Sequence, residues 1–223
     1  MNKSLKKYFP VFVLPTLIAF IIAFVAPFIM GVGLSFTKFT TVTNAKFVGL
    51  DNYIKIFTDP NHDFLNALIF TTLFTIVSII TVNIIAFSLA MLLTRKMKGT
   101  NFFRSVFFLP NLIGGIVLGY IWQLLINGVL DMIVNSDITK SSAYGFWGLV
   151  ILNNWQLIGY MMVIYIAGIQ NIPGDLIEAA AIDGASKTKT LFKITIPMVM
   201  PSITICMFLT LTNSFRCSTR TWH

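Results

Sequence analysis

Five long stretches of this 223-residue chain contain no Asp, Glu, Lys or Arg: Tyr8–Thr37, Phe64–Thr94, Ser105–Leu130, Ser141–Gly174 and Ile194–Phe215. A helix needs about 20 mostly apolar residues to cross the hydrocarbon core of a bilayer, and every one of these stretches is long enough. Charged residues make up 11% of the chain and hydrophobic residues 56%, whereas an ordinary soluble domain is about 25% charged. With a mean hydropathy of +0.82, the chain cannot cover a soluble surface. The expectation is an all-α membrane protein with five transmembrane helices, each of roughly 20–25 residues plus interfacial ends.

The first stretch follows Lys3, Lys6 and Lys7, as the core of a signal peptide would. Its apolar run exceeds the usual ~7–15 residues and no A-x-A-like cleavage site ends it, so it reads as a retained span. Lysines and arginines accumulate on the cytoplasmic side of a membrane protein. With the N-terminus inside, Lys3, Lys6, Lys7, Arg95, Lys96, Lys98, Arg104, Lys187, Lys189 and Lys193 lie inside, and Lys38, Lys46, Lys55 and Lys140 outside. That imbalance places the segment between the fourth and fifth spans in the cytoplasm, with Arg216 and Arg220 as exceptions. The net charge of +8 is therefore an orientation signal rather than a nucleic-acid footprint, which would need basic residues clustered on one soluble face.

That cytoplasmic segment is a soluble-looking island, EAAAIDGASKTKTLFKITIP, from Glu178 to Pro197. Pro173 and Gly174 break the helix before it. Asp175 is placed to cap a new helix, with Glu178 three residues later as in a capping box. Leu176, Ile177, Ala180, Ala181 and Gly184 recur at helical spacing, a narrow face that a partner surface can approach closely. Gly184 permits either a tight contact or a left-handed turn into a second short helix. Nothing here can hold nucleotide: the nearest approach to a P-loop, Gly184-Ala185-Ser186-Lys187-Thr188, has Ser where the second glycine must stand. Nor does any span carry the charged relay usual in ion-coupled carriers. Energy must come from outside the chain, or the protein is passive.

Glu178-Ala179-Ala180, Gly184 and Ile194-Thr195-Ile196-Pro197 follow the pattern E-A-A, three residues, G, nine residues, I-x-L-P, with Ile in place of Leu. This resembles the cytoplasmic loop of permease subunits from sugar-type binding-protein-dependent ABC importers. Phe47-Val48-Gly49-Leu50-Asp51-Asn52-Tyr53 is similar to a segment after the family's first span. Arg95-Lys96-Met97-Lys98-Gly99 and Phe107-Phe108-Leu109-Pro110 look like its basic second loop and the start of its third span. The resemblance implies a short coupling-helix pair between spans 4 and 5, whose Glu178, Ala179, Ala180, Asp183, Gly184, Ile194 and Pro197 dock in a cleft on an ATPase subunit. It implies a second permease subunit, an ATPase dimer that binds ATP and Mg, an extracytoplasmic sugar-binding protein, and surrounding lipid of a bacterial cytoplasmic membrane. A sugar or oligosaccharide would cross by alternating access, with no bond chemistry and no cofactor in this chain.

Residues 1–215 then form the permease domain. The family normally continues into a sixth span, and Arg216–His223 does not resemble that continuation. One codon choice for Cys217–His223, read in the adjacent frame, contains F-D-Q-N-L-A, close to the family pattern. The expectation is an aberrant tail, 216–223, arising from a shifted reading frame, and a truncated chain that assembles poorly or is inactive.

For the substrate path, Asn153-Asn154-Trp155-Gln156 combines amide partners with an aromatic face, although amides and tryptophan near a span end also serve as interfacial anchors. Gly115 and Gly119 form a G-x-x-x-G that permits close helix contact. Cys206 and Cys217 make no disulfide framework, and the distant His62 and His223 belong to no metal-ligand spacing. No constellation at a span boundary supports a membrane enzyme. From the residues alone, a passive channel or secondary carrier stays open.

Overall fold

The computed structural model describes residues 3–39, 44–58, 60, 63–95, 99–135, 137 and 140–218. His62, Lys96, Lys98 and the tail from Thr219 to His223, which bear on the metal, orientation and frame-shift readings, lie outside those residues. The chain forms two compact units, Met1–Leu68 and Ile69–His223.

In the first unit, α1 (Lys3–Phe20) passes through a five-residue π turn (Ile21–Val25) into α2 (Ala26–Ser35). Pro27 explains the wide turn. It has no N–H for the carbonyl four residues back, and its ring crowds that carbonyl, so the ladder shifts to an i→i+5 bond. The Ala26 N–H accordingly donates to the Ile21 carbonyl. Phe9–Ser35 is apolar and long enough to span a membrane. Two short antiparallel strands follow, β1 (Thr37–Lys38) and β2 (Lys46–Phe47), with Thr37 opposite Phe47 and Lys38 opposite Lys46. The unit also holds α3 (Asp51–Thr58) and the start of α4 (Asp63–Leu93).

The second unit continues α4 and adds α5 (Thr100–Phe108), α6 (Gly115–Val134) and α7 (Ser142–Gln170). Beyond them come α8 (Gly174–Ile182), α9 (Lys187–Thr190), a second π turn (Leu191–Thr195) and α10 (Ile196–Ser218). The second π turn repeats the first: the Ile196 N–H donates to the Leu191 carbonyl, and Pro197 comes next.

Helices α4 and α7 contain 31 and 29 residues, longer than bilayer thickness alone requires. The third apolar stretch departs most from expectation. It is not one helix: a 3-10 turn at Leu109–Leu112 and an extended Ile113 (ψ 130°) and Gly114 (ψ 131°) separate α5 from α6, which are bent by 100°. Pro110 removes one N–H from the ladder, and Gly114 resists helix, so the run stays apolar while its backbone breaks.

Side-chain pairs fix how these helices run. Phe70 packs edge-on against Phe146, Thr81 donates to Asn154, and Phe87 packs against Tyr165, so α4 and α7 run in the same sense. A Cβ on Gly168 would collide with Ser202, and the Cys206 thiol lies 3.8 Å from the Met161 carbonyl, so α10 runs opposite to α7. A Cβ on Gly159 would collide with the Phe107 backbone, and Trp122 bonds the Gly148 carbonyl, so α5 and α6 advance against α7. For α4 and α7 to start on the same side, the broken α5–α6 pair must cross once. The described residues hold four helices long and apolar enough to cross a membrane, or five spans if the bent pair counts as one.

The core lies among α4, α7 and α10. Val82, Ala86, Ala90 and Leu93 form a buried stripe on α4, meeting Leu157, Met161, Met162, Tyr165 and Ile166 of α7 and Val199 and Cys206 of α10. Spacings of three and four place each set on one helix face, and small residues let the backbones approach. Gly159 and Gly168 are in close contact with neighbouring helices. Gly119, half of the G-x-x-x-G, faces open space instead.

Candidate functional site

Helix α8 and the turn after it form an exposed knob between α7 and α10. The helix starts at Gly174, with Pro173 preceding it and no side-chain cap. Asp175 therefore stands in the first turn, where a carboxylate favours the helix dipole, and is not the cap that the capping-box reading expected. The end of α8 is a Schellman motif: the Ala185 N–H donates to the Ala180 carbonyl at 2.9 Å, and the Gly184 N–H to the Ala181 carbonyl at 3.1 Å. This motif needs a left-handed residue after the cap, and Gly184 has φ +69°. A Cβ there would meet nothing within 4 Å. Of the two roles open to Gly184 in the sequence, the left-handed turn is the one it plays. Ser186 then caps α9, accepting the Lys189 N–H at 3.2 Å.

Of the residues expected to dock, Glu178, Ala179, Asp183, Gly184 and Pro197 are exposed and Ile194 is half-buried, whereas Ala180 is only 8% exposed and turns into the fold. The expected small face is therefore partly an inward face. The opposite side of α8 carries Glu178 and Ile182, and Ile182 is 85% exposed. Sequence reasoning passed over Ile182 and also Phe192, exposed in the second π turn. The signal was available: Ile182 lies four residues after Glu178, hence on the same helical face.

Asn153, Asn154, Trp155 and Gln156 are consecutive on α7, so their side chains fan around the helix and do not form one lining. Asn153 is buried, and its Nδ2 finds no acceptor among the described residues. Asn154 accepts a 2.9 Å bond from Thr81. Trp155 is half-exposed and stacks on Trp122 with ring centres 5.4 Å apart. Gln156 is half-buried. A neighbouring polar node joins three helices: the Tyr165 hydroxyl donates to Asn83 Oδ1 at 2.7 Å, and Asn83 Nδ2 lies 3.4 Å from Thr210 Oγ1. Among the described residues, no group of three or more His, Cys, Asp or Glu is placed to hold a metal.

A helical bundle with four or five candidate membrane spans, an exposed helical knob between two of them and polar side chains inside is a multi-pass membrane protein. Residues 98–218, from the start of α5 to the end of α10, match the family described as binding-protein-dependent transport system inner membrane component. The chain belongs to that family and is a permease subunit of an ABC importer. Among similar proteins is the probable starch degradation products transport system permease protein AmyD of Thermoanaerobacterium thermosulfurigenes. It is 44% identical over 214 residues, covering 92% of this chain and 72% of AmyD. The multiple sugar-binding transport system permease protein MsmF of Streptococcus mutans is 30% identical over 221 residues, covering 95% and 76%. In fold, the chain resembles a crystal structure of a bacterial ABC transporter involved in the import of the acidic polysaccharide alginate. The TM-score is 0.75 at 21% identity, covering 96% of this chain and 76% of that one.

Proposed function

We propose that this subunit carries a sugar or oligosaccharide across a bacterial cytoplasmic membrane, with its N-terminus inside, and that the Glu178–Gly184 segment docks in the ATPase subunit. The observation that carries the docking reading is Ile182, a large apolar side chain held out from α8 beside Glu178, with the Schellman turn fixing its presentation. Glu178, Ala179, Asp183 and Gly184 form the knob with it. Ile194 and Pro197 set the start of α10 behind it, and Ala180 anchors the knob from within. A water-exposed isoleucine on a short helix gains free energy when a groove covers it.

The partners in this reading are a second permease subunit, an ATPase dimer and an extracytoplasmic sugar-binding protein. ATP and Mg belong to the ATPase, and this chain makes or breaks no bond. The carbohydrate reading draws on the relatives, whose names refer to starch degradation products and multiple sugars. Within the bundle, Asn153 is the proposed path residue, since an unmatched buried amide suits a hydroxyl-rich ligand. Asn154, Trp155 and Gln156 follow it on α7 but face other directions.

The test is affinity purification of the tagged subunit with its operon partners, together with uptake of labelled maltooligosaccharides. Ile182→Asp should reduce recovered ATPase at least tenfold while leaving the chain in the membrane. Unchanged recovery would remove the docking assignment.

A further inference from the structure

Helix α3 carries three different faces. Asn52, Tyr53 and Ile56 turn toward the end of α2, lining a groove with Gly31 and Leu34. Asp51, Lys55 and Thr58 form a polar arc. Leu50, which accepts the Ile54 N–H at 3.0 Å and so begins the helical turn, joins Ile54 and Phe57 on the third face. All three are at least 57% exposed, and Phe47 just before them is 80% exposed.

This apolar face is held at a fixed depth. Asn52 Nδ2 donates to the carbonyls of Ser35 and Thr37, both at 2.9 Å, and the Tyr53 hydroxyl bonds Ser35 Oγ at 2.7 Å. Ser35 is the last residue of the Phe9–Ser35 span. At its other end, Phe57 packs edge-on against Phe64, where the Phe64–Leu93 span begins. The helix is thus tied at both ends to points where spans leave the hydrocarbon. Aromatic side chains gather at that level, as they do at bilayer interfaces.

Charge supplies the second argument. Lys38 and Lys46 stand directly opposite one another on β1 and β2, and both are exposed. Like charges directly opposite across two strands destabilise the pair, and among the described residues neither lysine makes an ion pair with a carboxylate. An anion between them removes the repulsion, and the lipid phosphates of a bilayer surface lie at the depth where α3 is tethered.

We infer that α3 lies flat in the membrane surface at that end of the spans, with Leu50, Ile54 and Phe57 seated among acyl chains and Lys38 and Lys46 gripping anionic lipid headgroups. An amphipathic helix of this kind binds through buried apolar area together with attraction to anionic lipid. The inference is independent of what the importer carries and of which side this surface faces.

The test uses the full chain, assembled with its partner subunits, in vesicles of phosphatidylethanolamine and phosphatidylglycerol. A fraction of the lipid carries a nitroxide on an upper acyl carbon. A fluorophore is attached in turn to Leu50→Cys, Ile54→Cys, Phe57→Cys and Lys55→Cys, with the parent chain reporting labelling of the native cysteines. Quenching should be at least threefold stronger at 50, 54 and 57 than at 55. Replacing phosphatidylglycerol with phosphatidylcholine should halve it at 57, and Lys38→Gln with Lys46→Gln should abolish that lipid dependence. Equal, weak quenching at all four positions would overturn the inference. So would an apolar face that is open to aqueous iodide until a soluble binding protein is added, because the face would then be a protein-docking surface.

Discussion

Gly184 and Gly159 show two distinct reasons for a missing side chain. At Gly184 there is room for a Cβ, and the constraint is φ +69°. A substituted residue in the left-handed region costs about 1–2 kcal/mol, and asparagine tolerates it better than a β-branched residue does. Gly184→Val should therefore lower ATPase recovery and uptake several-fold, whereas Gly184→Asn should keep most of both, measured in the same tagged assembly. At Gly159 the backbone is ordinary, and the constraint is the Phe107 carbonyl pressed against it. Gly159→Leu should separate α5 from α7 and lower the unfolding temperature in detergent by several degrees, while Gly119→Leu should leave it nearly unchanged. The E-A-A…G spacing made Gly184 legible as special but left its two possible roles unresolved, because both require the same absent atom. Gly159 carried no local mark, since its partner lies about fifty residues away in the chain.

Among the elements, the three-helix node of Asn83, Tyr165 and Thr210 is the feature most open to measurement. Tyr165→Phe removes the donor and leaves Oδ1 of the half-buried Asn83 without it. Hydrogen bonds between membrane helices contribute about 0.6 kcal/mol on average and up to about 1.7, so the loss should be about 1 kcal/mol in a denaturant titration. Tyr165→Phe combined with Asn83→Leu should be less damaging than the sum of the two single changes, because the second removes the stranded acceptor. Apolar run length alone marked the four long spans and the bent α5–α6 pair. It could not show the break between α5 and α6, because Ile113 and Gly114 are as uncharged as their neighbours and only the backbone changes there. Nor could it show that four adjacent polar residues on α7 point in four directions, which becomes visible only once the helix is wound.

For the whole molecule, family membership makes this a permease subunit of an ABC importer. The knob hangs between α7 and α10, and those helices are in contact close above it, where Gly168 meets Ser202. The two legs of the loop are therefore clasped together rather than splayed. Were α8 to dock as proposed, a thrust on it would bear on both legs at once, and a wedge driven between Gly168 and Ser202 would let one leg yield without the other.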